Sequence, residues 1–432
     1  MLFPLFPLNK TMITTSLLFA LTASAQTELE PIAFLPSTQL EQQFGSSFTE
    51  LGDVNQDGVT DFAIGSPGHL PISGAWGSGL VEVFSGADLS LIYQVDPIPS
   101  EDSLVGTQLA TIGDVNHDGA LDFVVGCGGH TGAYVISGRT GNRLLALDTQ
   151  SNGQWGMQIK VIGDLTGDAM PEFAIGLPVE PAGTEILAGR IMIFDGASGA
   201  VFHEIHGAEA FRSLGNILCA PGDLNGDAIP DLIVGGVDAA VNSVNDGFTV
   251  ISGFDFQTIY TRDRDQLKHS VVDLDAVGDV NGDGLGDSLV TGYQTHPNNQ
   301  WIQGLTRLMS GSDAHQMFLK IGEDFEDFGR TATPLGDMDG DGVNDIAIFS
   351  LMLNRNWQLR PHVDIISGTT GDTFGMAETS SFNFLAIRLF PVSDLDGDGR
   401  AELVVGVPEN QVSTPPPGYL VGGEVHILSH KN

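Results

Sequence analysis

Apolar residues fall in short runs along this chain, too short for most helices and bounded by glycines and acids. The clearest are Phe62-Ala63-Ile64-Gly65, Phe123-Val124-Val125-Gly126, Phe173-Ala174-Ile175-Gly176, Leu232-Ile233-Val234-Gly235, Ser288-Leu289-Val290-Thr291, Ile346-Ala347-Ile348-Phe349 and Leu403-Val404-Val405-Gly406. A continuous apolar run of this length, rich in β-branched residues, predicts a buried strand. A short strand precedes each run, and a variable loop follows it. Beyond the loop comes a third strand that usually ends in Ser-Gly, as in Val81 to Gly86, Tyr134 to Gly138, Phe248 to Gly253 and Val363 to Gly368. A fourth, such as Leu91 to Val95 or Thr258 to Thr261, leads into the next unit.

Between the first and second strands of every unit stands Gly-Asp-x-Asn-x-Asp-Gly or a near variant. Its first aspartate falls at Asp53, Asp114, Asp164, Asp223, Asp279, Asp337 and Asp394, with spacings of 61, 50, 59, 56, 58 and 57. Near-equal periods mark a repeat architecture. Four strands per period, with turns between them, mark a propeller blade, whereas a sandwich gives no reason for equal periods. The expected fold is all-β, a seven-bladed β-propeller with four-stranded blades. Counting strands also predicts how it closes. The seventh repeat reaches only its third strand, Gly423 to Leu428, before the chain stops at Asn432. Pro31 to Leu35 precedes the first repeat as a spare strand. An N-terminal strand completing blade seven closes the ring and hides both unpaired edges.

Composition fits this picture. Of 432 residues, 41 % are apolar, and 56 glycines with 21 prolines supply many turns. The net charge of −38, from 55 acids against 17 bases, excludes nucleic acid and anionic membrane as partners, because both need basic patches. Residues 1–25 read as a signal peptide: Lys10, an apolar run from Met12 to Leu21, and the small-residue site Ala23-Ser24-Ala25. The run is too short to span a bilayer. The mature domain is then 26–432, starting at Gln26. It is expected outside the cell or on its surface, with the periplasm as a further location. Cys127 and Cys219 lie in non-adjacent repeats and are expected to be free, buried thiols.

The acidic loops carry the chemistry. Calcium takes six to eight oxygens, and a chain curling round it presents side chains 1, 3 and 5 inward, with a sharp turn at 6 and a later carboxylate closing the shell. The first loop, 53–61, offers Asp53, Asn55, Asp57 and Asp61, with Gly58 at the turn; the second, 114–122, offers Asp114, Asn116, Asp118 and Asp122. The third, 164–172, gives Asp164, Thr166, Asp168 and Glu172, and the fourth, 223–231, Asp223, Asn225, Asp227 and Asp231. The fifth, 279–287, gives Asp279, Asn281, Asp283 and Asp287. The sixth, 337–345, gives Asp337, Asp339, Asp341 and Asp345, and the seventh, 394–402, Asp394, Asp396, Asp398 and Glu402. An EF-hand requires flanking helices and a Glu at position 12; here strands flank the loop and the closing acid sits at position 9. Up to seven Ca²⁺ ions are expected, and the loops account for 23 of the 55 acids. Loop three, with Thr166 and Ala169, is expected to bind most weakly.

Phe44-Gly45 before the first loop and Gly65-Ser66-Pro67 after it resemble the FG-GAP repeat, known from the head of integrin α chains. Phe328-Gly329 and Gly406-Val407-Pro408 repeat the two halves, while Trp155-Gly156 and Leu214-Gly215 replace the Phe-Gly pair, and repeats four to six lack Gly-x-Pro. The resemblance covers the mature chain. It implies calcium loops on one face and a protein or glycan ligand on the other. That second face takes the loops Ser66 to Gly79, Leu177 to Gly189, Gly292 to Gly304, Ser350 to Pro361 and Val407 to Gly422. Trp76, Tyr293, Trp301, Trp357 and Tyr419 fall in them and are candidate ligand anchors. Two functions follow: a non-catalytic binding or adhesion module, or a calcium-dependent polysaccharide lyase or hydrolase. The sequence has no Gly-x-Ser-x-Gly elbow, zinc motif or phosphate loop, and its histidines, among them His69, His130, His296 and His362, are scattered. The non-catalytic reading is therefore the expected one.

Overall fold

A computed structural model describes residues 29–37, 43–68, 78–95, 104–128, 132–149, 158–180, 187–208, 213–236, 247–263, 267, 270–295, 302–322, 326–353, 359–378, 387–408 and 423–430. The expected signal, 1–25, lies outside them.

The described strands form seven four-stranded antiparallel sheets. Blade one comprises Ser47–Gly52, Asp61–Gly65, Val81–Phe84 and Leu91–Val95; blade two Val105–Thr111, Phe123–Cys127, Gly132–Ile136 and Arg143–Leu147. Blade three comprises Gln158–Gly163, Glu172–Leu177, Arg190–Phe194 and Val201–His206; blade four Ile217–Gly222, Asp231–Gly235, Phe248–Ile251 and Thr258–Arg262. Blade five comprises Ser270–Gly278, Asp287–Thr295, Ile302–Met309 and Gln316–Ile321; blade six Glu326–Pro334, Ile346–Leu353, Leu359–Ile366 and Thr373–Glu378. Blade seven has Arg388–Val392, Glu402–Val407 and Glu424–His430, and its outer strand is Leu29–Pro36. That strand pairs antiparallel with Glu424–His430, from Leu29 opposite His430 to Pro36 opposite Glu424. The ring is closed as the strand count predicts.

No blade has a core of its own. Apolar side chains gather between neighbouring sheets, as where Val124 and Val135 of blade two meet Phe173 and Ile175 of blade three. Seven such clusters of described residues correspond to the seven blade interfaces. The second strand of each blade is sandwiched by these clusters, which is why it reads as an unbroken apolar run.

The Phe-Gly and Gly-x-Pro glycines serve the same interfaces. A Cβ on Gly406 of blade seven would stand 2.2 Å from the carbonyl oxygen of Gly45 in blade one, and one on Gly65 only 2.1 Å from that of Gly106 in blade two. Only glycine permits backbones to approach so closely. Both cysteines are buried, and neither is in a disulfide.

Two loops are shorter than the sequence suggests. The second strand of blade five runs through Thr295, so Tyr293 is a strand residue opposite Ser270 and Gly304 rather than a loop anchor. In blade six, Leu351, Met352 and Leu353 continue the apolar run as strand, and the third strand already begins at Leu359.

Candidate metal centres

Each acidic loop joins the first strand of a blade to its second, so all seven stand on one face of the ring. Within a loop the chain curls round its own carboxylates. In every loop the first aspartate accepts the N–H of the residue five positions on, from Gly58 to Asp53 through Gly399 to Asp394, at 2.8–2.9 Å. The closing acid accepts the N–H of the loop's second residue, from Val54 to Asp61 through Leu395 to Glu402, at 2.5–2.8 Å. Asn55 Oδ1 accepts from Asp57 N at 2.8 Å, and the same contact recurs at Asn116, Asn225 and Asn281.

The closing acid starts the second strand, or directly precedes it in blades two and six, and is therefore buried. Asp61, Asp122, Glu172, Asp231, Asp287, Asp345 and Glu402 are all fully inaccessible. Burial pushes the carboxyl of each above its ordinary range. Asp345 is pushed up to about 6, with the charge of Asp339 adding to burial, and Glu402 to about 7, with Asp396, Asp394 and Asp398 adding. At the loop tips the direction reverses: the Val59 N–H, and then Asn55, hold Asp57 below the usual carboxylate range.

The residues fit a hard cation. Asp394, Asp396, Asp398 and Glu402 each bring a carboxylate oxygen within 4.8 Å of the others, as do Asp114, Asp118 and Asp122, and Asp337, Asp339 and Asp345. Asp398 Oδ2 and Glu402 Oε1 are buried without a hydrogen-bond partner. Such oxygens are costly unless something positive meets them. An all-oxygen donor set of this kind suits calcium.

One contribution was only half legible. The Ser-Gly that ends the third strand folds back onto the loop of its own blade. Gly86, Gly138, Gly253, Gly311 and Gly368 donate their N–H to the closing acid at 3.0–3.2 Å. The Ser85 and Ser137 hydroxyls donate to Asp57 and Asp118 at 2.9 and 3.0 Å, and Ser429 to Asp396 at 2.7 Å. The repeated Ser-Gly was the signal, although its target lay out of sight.

No family model matches the chain. It is similar to integrin α-5 of Xenopus laevis, 28 % identical over 228 residues, which is 46 % of this chain and 21 % of that one. It is similar to integrin α-7 of Homo sapiens, 30 % identical over 148 residues, 30 % of this chain and 12 % of that one. A third relative, integrin α-E of Mus musculus, is 26 % identical over 212 residues, 47 % of this chain and 14 % of its own. The chain is an integrin-α-like β-propeller. It spans about a fifth or less of the length of these relatives. In fold it also resembles Sqt1 of Saccharomyces cerevisiae, with a TM-score of 0.50 at 12 % identity, covering 95 % of this chain and 100 % of that one.

Of the residues expected on the face opposite the loops, Trp76, Trp301, Trp357 and Tyr419 lie outside the described residues, as do His69, His130 and His296. His362 is a buried strand residue whose Nε2 lies 3.1 Å from Glu326 Oε1 and 3.7 Å from Asp364 Oδ2. Among the described residues no helix is long and apolar enough to cross a membrane.

Proposed function

We propose that this is a secreted, calcium-loaded propeller that acts as a non-catalytic binding or adhesion module for a protein or glycan outside the cell. The observation that carries the calcium half is the seventh loop, where four carboxylates converge and two of their buried oxygens have no hydrogen-bond partner. The similarity to integrin α chains across nearly half of the sequence supports the binding half. Calcium held by the first, third, fifth and closing residues neutralises clustered carboxylates, so its role is structural: it fixes the loops and with them the strand ends. Residues 1–25 direct export in this reading, and the ligand face is the one opposite the loops.

Two measurements test it. Thermal melts in excess calcium and after metal removal are expected to differ clearly, because a ligand held by the native state alone raises its stability; superimposable curves would rule out the metal sites. A glycan array and a pull-down from extracellular material, each with and without calcium, are expected to return a ligand retained only with calcium. Release of unsaturated sugars from a polysaccharide panel would instead establish a lyase.

A further inference from the structure

The first strands of six blades, with Asn216 just before that of blade four, line an axial channel of about 540 Å³, within the size range of small-ligand sites. Their register with the second strands fixes the level of each side chain. Gln158, Asp273, Thr331 and Arg388 stand opposite Gly176, Thr291, Phe349 and Gly406, each four residues beyond a closing acid. They therefore share one level, toward the face opposite the metal loops. Lys160, Asp275 and Thr333 share the next level inward, opposite Ala174, Leu289 and Ala347. There Lys160 Nζ of blade three lies 3.2 Å from Asp275 Oδ1 of blade five. Thr333 Oγ1 donates to Asp275 Oδ2 at 3.4 Å. Blade four, between them, has Cys219 at this level, opposite Ile233 and buried in the core between blades four and five.

The charge balance of the channel is the reverse of the molecule's. Acids outnumber bases 55 to 17 over the whole chain, yet the channel is lined by Lys160, Arg330 and Arg388 against Asp273 and Asp275. Asp275 is already engaged by Lys160 and Thr333. Low-dielectric walls concentrate the field of this net positive lining, and guanidinium groups present paired donors suited to planar or tetrahedral oxyanions. We propose that the axial channel binds a small oxyanion, entering from the face opposite the metal loops, with Arg388 at its mouth and Lys160 at its inner end. Amide and hydroxyl groups of Gln158 and Thr331 complete the lining.

Asp273 makes the affinity depend on pH. It faces Asp275 along its own strand, Lys160 from blade three, Cys219 from blade four, Arg330 from blade six and Arg388 from blade seven. Burial, and then the charge of Asp275, push its carboxyl up to about 6. Acidification through that range removes a negative charge from the site and should tighten binding.

The test is calorimetric titration of the full, calcium-loaded protein with succinate and with sulfate, ionic strength held constant with chloride. Saturable one-to-one binding of at least one is expected, and sulfate, whose charge is constant over the range, should bind tighter at pH 5.5 than at 7.5. Succinate alone would mark a carboxylate ligand, and sulfate alone a tetrahedral oxyanion. Arg388→Gln should weaken binding about tenfold or more, the loss expected for a charge-assisted contact. Arg388 is exposed at a strand end, so this variant is expected to fold, and circular dichroism checks it. Lys160→Met is the second variant. Arg262→Gln should bind as the parent does, since that guanidinium sits 4.8 Å over the Tyr260 ring, outside the channel. No saturable binding of either anion, or equal weakening by Arg388→Gln and Arg262→Gln, overturns the proposal.

Discussion

The ring of Phe48 in blade one stacks on that of Phe390 in blade seven, with centroids 5.7 Å apart and planes 27° from parallel. Both belong to the cluster that seals the seam between the first and last blades, alongside Val404, Val425 and Ile427. The seam is packed like the other six interfaces, although residues from opposite ends of the chain build it. Ala33 and Leu35 of the N-terminal strand lie against the same cluster.

Removing that strand should therefore do more harm than its length suggests. Deletion of residues 26–36 takes away Leu29, which is 1 % exposed, at a cost of about 2–5 kcal/mol for that side chain alone. It also bares the edge of Glu424–His430. A lower melting temperature and self-association on size exclusion are expected. A monomeric truncation with an unchanged melt would refute the closure.

The loops should differ in affinity. Ala169 and Ala228 sit at φ of 71° and 67°, where loops one, two, five, six and seven have glycine. A non-glycine residue in that region costs about 1–2 kcal/mol. Ala169→Gly should accordingly raise stability by about 1 kcal/mol and tighten the third site. At intermediate calcium, Asp341→Ala should cost far more stability than Asp168→Ala, because loop six gathers an extra carboxylate. Calcium titrations of the variants, followed by thermal melts, check both; equal losses would show that ligand number does not set the order.

Acid should act in opposite directions on the two forms. Without metal, Asp345 and Glu402 have carboxyls raised to about 6 and about 7. A raised carboxyl stabilises the fold fully below its unfolded pKa near 4, and that stability is lost as pH rises through the folded value. The metal-free protein should thus melt higher at pH 5.5 than at pH 8. Calcium needs both groups deprotonated, so the gap between loaded and stripped protein should narrow over the same interval. A gap that does not change between the two pH values would contradict the assignment of these residues.

The turn that clamps each loop can be tested separately. A methyl on Gly138 would lie 1.9 Å from the Leu121 carbonyl oxygen, and the turn must shift to admit it, taking its N–H away from Asp122. Gly138→Ala should cost about 1–3 kcal/mol by overpacking, with further loss of metal affinity at the second loop. At Gly226 nothing lies within 4 Å, so Gly226→Ala should show only the backbone cost, about 1 kcal/mol. Denaturant midpoints compare the two.

Much of this was legible in the chain because repetition amplifies weak signals. One Asp-x-Asn-x-Asp loop is an ordinary turn, but seven at near-equal spacing define blades, and the missing strand after Leu428 points to Pro31 to Leu35. Tyr293 was misplaced because the second strand of blade five carries on as Gly292-Tyr293-Gln294-Thr295, residues that read equally well as loop. The Lys160 to Asp275 contact was out of reach for a different reason. The two are 115 residues apart, in strands that face each other only once blades three, four and five have packed.

The pairing of Leu29 with His430 also sets a timetable. The strand that leaves the ribosome before all the other strands described has as its partner the one that leaves last, about 400 residues later. Blades one to six can each complete their sheets as they are made. The seventh cannot, and the first strand must wait unpaired through the synthesis of the whole ring. Closure is therefore a late, single event of very long loop length, the slowest kind of contact to form, and any molecule released before it happens carries an open edge at both ends.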